Sequence, residues 1–163
     1  MIQSEIQFIR EELKEYSPPS KIWVYYSEKD FTENITEIQS QLNHFTQNWK
    51  SHGSSVKGKG FTLGGHIIIL VADISVCEVS GCSTDSSVQF ITQLGSQFQL
   101  NLFDRQLVLL LIEDKITPTN LNSLNQYTPD TLVFNPFFSD LANWQECFIQ
   151  KIQESKYKRF AKN

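Results

Sequence analysis

Two unbroken apolar runs, Ile67 to Ala72 and Leu107 to Ile112, constrain this chain most. Each is far shorter than the roughly 18 residues that read as a membrane span, so both are read as strands. The first follows Gly64-Gly65, a hairpin signal, and is rich in β-branched residues. Between the two runs, Ser83 or Thr84 is placed to cap a helix with Val88, Ile91, Leu94 and Phe98 on its inner face. Ahead of them, "KIWVYY" at 21 to 26 reads as a strand. A helix follows it, opened by the capping-box-like pair Asp30 and Glu33 and carrying Ile35, Ile38, Leu42, Phe45 and Trp49 at alternating spacings of three and four.

The resulting order over residues 20–113 is β-α-β-β-α-β. It predicts an α+β protein on the ferredoxin-like plan, in which two helices cover one face of an antiparallel sheet. Residues 1–19 add an N-terminal helix through Ile2, Ile6, Ile9 and Leu13, stopped by Ser17-Pro18-Pro19. Residues 114–163 add a loop region with Pro118 and Pro129, a short "TLVF" strand, and a helix carrying Leu141, Trp144, Phe148 and Ile152. At 163 residues the whole is expected to be a single domain.

The formal charge of -4 and pI near 5.3 argue against a nucleic-acid partner. Lys151, Lys156, Lys158, Arg159 and Lys162 form one basic cluster, read as charges on the last helix and a solvated tail. The N-terminal segment carries Glu5, Arg10, Glu11 and Glu12 and so lacks the apolar core of a signal peptide. With three cysteines in no disulfide framework, a cytoplasmic protein is expected, without a membrane partner.

Gly53 to Lys59 spells G-x-x-x-x-G-K, the opening of a phosphate-binding loop. Its context differs from such a loop, because a helix precedes it, a strand follows it, and Gly60 stands where Ser or Thr would serve Mg²⁺. Its glycines therefore read as a helix stop and hairpin kinks. The run ending at Asp73 resembles the acidic strand of an ATPase, but lies only a hairpin away.

The residues that suggest chemistry are in "VSGCSTDSSVQFI", 79 to 91. Cys82 stands at the start of a predicted helix, where free N–H groups and the helix dipole favour a thiolate. Gly81, Ser83, Thr84, Asp85, Ser86 and Ser87 surround it, either as an anion-binding or catalytic turn or as ordinary capping residues. The predicted topology brings His52, with Trp49 and Gly53, to the same rim as Cys82. A Cys82–His52 pair oriented by Asp85 would then be a nucleophile and its base. Cys77 and Cys82 lack the paired short spacings of a zinc site, and His44 and His66 form no metal signature, so neither metal nor cofactor is expected.

"KIWVYY", "WKSHG", "SGCSTDSSVQFI", "FDR" at 103 to 105 and "TLVFN" at 131 to 135 together resemble a family of small bacterial proteins without established function. Members are often labelled "ABC transporter ATPase". The resemblance covers roughly residues 20–135. It implies that Trp49, His52, Gly53, Gly81, Cys82, Ser83, Asp85, Ser87 and Arg105 belong to the recurring pattern. The label implies ATP hydrolysis, but the nucleotide-binding motifs are missing here, and that activity is not carried over.

Two functions fit these residues. One is a binding or interaction module that holds a small anionic ligand or a protein partner at the His52/Cys82 rim; the other is a thiol-dependent enzyme. Homodimerisation through an open edge strand stays open beside both, as does coverage of that edge by "TLVF".

Overall fold

The computed structural model describes residues 1–75 and 81–161, with the side chains of Cys82 and Ser83 outside that description. It is an α+β structure with antiparallel sheets. Helix α1 (Ile2–Glu12) leads into β1 (Lys21–Tyr26) and α2 (Ile35–Gln47). A two-residue hairpin follows, β2 (Lys50–Ser51) and β3 (Ser54–Ser55), and then β4 (Lys57–Leu63) and β5 (Ile67–Asp73). After α3 (Gly81–Phe98) come β6 (Leu107–Ile112), β7 (Lys115–Asn120), β8 (Leu132–Phe134), α4 (Leu141–Cys147) and β9 (Ile149–Lys151).

The first sheet has the order β1-β5-β4, with Trp23 opposite Leu70 and Phe61 opposite Ile69. Strand β5 is central and buried at every residue, which is why its sequence is a continuous apolar run. One face of this sheet, with Tyr25, Ile68 and Leu70, packs under α2 and α3 through Ile38, Leu42, Ile91, Leu94 and Phe98. The other face, with Ile22, Tyr26, Ile67 and Ile69, meets α1 and a second sheet through Leu107, Leu109, Leu111 and Phe134. That second sheet has the order β7-β6-β8-β9. Its outer face, Val108, Leu110 and Val133, is covered by Leu124, Ile152 and Tyr157.

Several expectations need correction. The run read as the fourth strand of one sheet, β6, takes its hydrogen bonds from β7 and β8. Residues 115–120 form a strand despite Pro118, because β7 is an edge strand where a missing N–H is tolerated. The last helix stops at Cys147, since Phe148 and the residues after it turn to place β9 beside β8. Asn135 fixes that turn: its backbone N–H donates to Phe148 O (2.9 Å) and its side-chain amide donates to Cys147 O and Gln150 Oε1. Helix α3 already includes Gly81, so Ser83 and Thr84 lie within it rather than ahead of it. On its inner face Ser87 is buried while Val88 is exposed. His66 is buried too, its Nδ1 2.8 Å from Ser27 O.

Candidate functional site

The glycine- and lysine-rich stretch folds as hairpin and strand. His52 (φ 49°) and Gly53 (φ 80°) form the two-residue turn between β2 and β3, so Gly53 answers a backbone demand; among the described residues nothing lies within 4 Å of where its Cβ would stand. Gly58 meets a packing demand instead: a Cβ there would lie 2.7 Å from Trp49 Cε3. Trp49 is buried against Val56, Ala72, Trp23 and Phe45, and this cluster seats the hairpin on the sheet. The two lysines are held by carboxylates, Lys57 by Asp73 at 3.5 Å and Lys59 by Glu12.

Asp73 is buried at the end of β5. Ser17 donates to it through its hydroxyl (2.6 Å) and its backbone N–H (3.2 Å), and Ser75 does the same at 2.7 and 2.9 Å. Burial opposes its charge, yet the hydrogen bonds from Ser17 and Ser75 together outweigh burial and hold the carboxyl well below the usual carboxylate range. The acidic residue that resembled an ATPase strand is thus a structural tie between β5 and the segment after α1.

At the predicted rim, β2 packs beside α3, so the hairpin bearing His52 and the helix bearing the 81–87 turn are neighbours. His52 and Asp85 are exposed, Gly81 is exposed with no described atom within 4 Å of where a Cβ would be, and Thr84 and Ser86 are half-buried. Ser87 is fully buried and its hydroxyl donates to Thr84 O at 2.7 Å, a helix-internal bond that removes it from any ligand surface. Trp49 is likewise core rather than contact surface. Cys77 and the side chains of Cys82 and Ser83 lie outside the described residues, and with them the Cys82–His52 geometry.

A larger concave feature lies elsewhere. A cleft of about 1060 Å³ runs along the free edge of β1 and is lined from Lys21 to Tyr26 on one side. Residues 136–139 cross on the other side. This segment is tied down at one end where the Tyr26 hydroxyl donates to Asn135 O (2.6 Å), and at the other where Leu141 N–H donates to Ser20 O (2.8 Å). Between those ties it does not pair with β1, whose hydrogen-bonded strand neighbour among the described residues is β5 alone.

Pairing parity identifies the open backbone groups. Ser27 N–H donates to His66 O, and in an antiparallel pair such bonded positions alternate, so Trp23 and Tyr25 point their backbone groups at β5. Ile22, Val24 and Tyr26 point theirs into the cleft. Its walls are aromatic: Phe103 and Phe137 are 51% and 70% exposed, two of the few large apolar side chains on the surface, and Tyr25 packs edge-on to Phe103 at 5.7 Å. Burial pushes the Tyr25 and Tyr157 hydroxyls up to about 12, so both stay neutral.

Lys21, Arg105, Lys156 and Arg159 stand around these walls against one carboxylate, Asp104. None of the four has an acidic partner among the described residues. The Lys156 ammonium instead lies 3.9 Å from the Phe137 ring centre, and although the residue is largely exposed, partial desolvation there pushes its pKa down. On a chain of net charge -4, this is a local concentration of positive charge. In the sequence Arg105 belongs to the "FDR" motif, while Lys156 and Arg159 fall in the basic cluster of the last helix and tail. The signal that would have grouped them is tertiary, because residues 21–26, 102–107, 136–139 and 156–160 meet only after the two sheets stack. No family model, curated protein or solved structure matches this chain.

Proposed function

We propose that this protein is a binding module for an anionic ligand with apolar character, and that the cleft beside β1 is its principal site. The observation that carries this reading is the pairing of unneutralised cations with exposed aromatic rings around one large concavity. Pockets that orient ligands combine an apolar lining with a few placed polar groups, and those on ordinary domains reach roughly 300–1,000 Å³. The same reading places the first sheet on the ferredoxin-like plan, with order β1-β5-β4 kept and the position beside β1 left open. ATP hydrolysis has no part in it: the phosphate-loop-like residues serve a turn, a tryptophan contact and two ion pairs.

The test uses 1-anilinonaphthalene-8-sulfonate, an anionic aromatic probe. It should bind the wild type saturably. The double variant Arg105→Glu, Lys156→Glu changes only exposed side chains and should bind about tenfold more weakly or worse, a loss of about 1.4 kcal/mol or more. Equal affinity in a folded double variant would remove the cleft as an anion site.

A second reading draws on the packing of α3 beside β2, which puts the His52 hairpin next to the helix that carries residues 81–87. There Cys82 would act as nucleophile with His52 as base and Asp85 as orienting group, or the same rim would hold an anion or a partner. In that case iodoacetamide should alkylate Cys82, with Cys82→Ser as blank, at a rate that is already maximal near pH 7. A rate still climbing at about pH 8.5 would exclude the thiolate.

A further inference from the structure

We infer that the occupant of the cleft is an extended acidic peptide segment of a partner protein, which adds to β1 as a further strand of the first sheet. This rests on the cleft being an anion site and goes beyond it in naming the mode of binding. Small anions need cations and walls but no row of backbone donors and acceptors. Here the N–H and C=O groups of Ile22, Val24 and Tyr26 all face the cleft, and no hydrogen bond to them is made among the described residues. A strand of six residues offers about 20 Å of such edge, enough for a short peptide to pair along.

The two faces of an incoming strand would meet different surroundings. Its side chains alternate. One set would continue the face of Ile22, Val24 and Tyr26, which packs into the apolar layer between the sheets. The other would continue the face of Trp23 and Tyr25, towards Phe103 and Arg105. Lys21 at the start of β1, with Lys156 and Arg159 across the cleft, supplies the charge that selects an acidic sequence. An open strand edge ordinarily carries its own protection against unwanted pairing. Here the cover is the 136–139 segment, which is anchored at the two ends of β1, through the Tyr26 side chain and Ser20 O, and makes no backbone pairing with its middle among the described residues.

The probe is an acetylated, amidated heptapeptide of alternating glutamate and apolar residues, Glu-Phe-Glu-Val-Glu-Phe-Glu. Two further versions are N-methylated at every glutamate or at every apolar residue. A paired strand directs alternate amides at its neighbour, so one methylated version should lose at least tenfold in affinity and the other should keep most of it. Arg105→Glu, Lys156→Glu should weaken the parent peptide by tenfold or more. Equal losses or no losses in the two methylated versions overturn strand addition. If the peptide does not bind while the sulfonate probe still binds in a charge-dependent way, the anion site stands and the peptide proposal fails. A concentration-dependent dimer that protects the Ile22, Val24 and Tyr26 amides from exchange also overturns it, in favour of a second copy of this chain.

Discussion

Asp73→Ala is expected to cost about 3 kcal/mol, which for a chain of this length lowers Tm by roughly 6–12 °C. The carboxylate collects donors from Ser17 and Ser75 and an ion pair from Lys57, and alanine leaves these groups without their acceptor in a site where Asp73 itself is only 1% exposed. Hydrogen bonds to a charged acceptor are worth roughly 1.5–3 kcal/mol each, and Ser17, half-buried, and Ser75, exposed, regain only part of that from water. The same residue sets an acid limit. Its native pKa is held below that of the unfolded chain, near 3.9, so its contribution is complete above that value and fades as pH falls through it towards the depressed native pKa. Urea midpoints at pH 7 and pH 3 should therefore differ more in the wild type than in Asp73→Asn. A variant with unchanged stability and unchanged acid sensitivity would show that the tie contributes nothing.

Trp49→Ala is expected to be at least as costly, about 3–5 kcal/mol, the range for deleting a large buried aromatic side chain. Trp49 fills the space between Val56, Ala72, Phe45 and Trp23 and lies on the bare backbone of Gly58. The reciprocal change, Gly58→Val, drives methyl groups into the indole and should cost about 1–3 kcal/mol by overpacking. Because they act on one contact, the double variant should lose less than the two single losses added together. Strict additivity in denaturant unfolding would mean that Trp49 does not rest on Gly58.

The strands and helices of the first half were readable because each has one dominant requirement. The apolar run of β5 marks a strand buried on both faces, Gly64 and Gly65 carry the positive φ of its turn (57° and 69°), and the stripe through Ile38 and Leu42 marks the buried side of α2. The second half was less readable because its elements answer to each other. Lys115–Asn120 is polar and contains proline, and becomes a strand only because β6 offers an edge. Phe148 and Ile152 keep helical spacing, yet Asn135 draws the chain after Cys147 into a sheet. Gly58 and Trp49 stood out in the sequence as motif residues, whereas their spacing reflects one packing contact. The cleft was the least legible feature, since its cations are spread over more than 130 positions of sequence, from Lys21 to Arg159.

The most direct measurement of where ligand binds is an amide NMR titration of the full chain with the sulfonate probe. Saturable shifts are expected at Ile22, Val24, Tyr26, Phe103 and Arg105, around the cleft, with His52, Gly53, Gly81 and Asp85 unmoved. Shifts confined to His52, Gly81 and Asp85 would contradict the cleft as the site and place it at the hairpin rim instead.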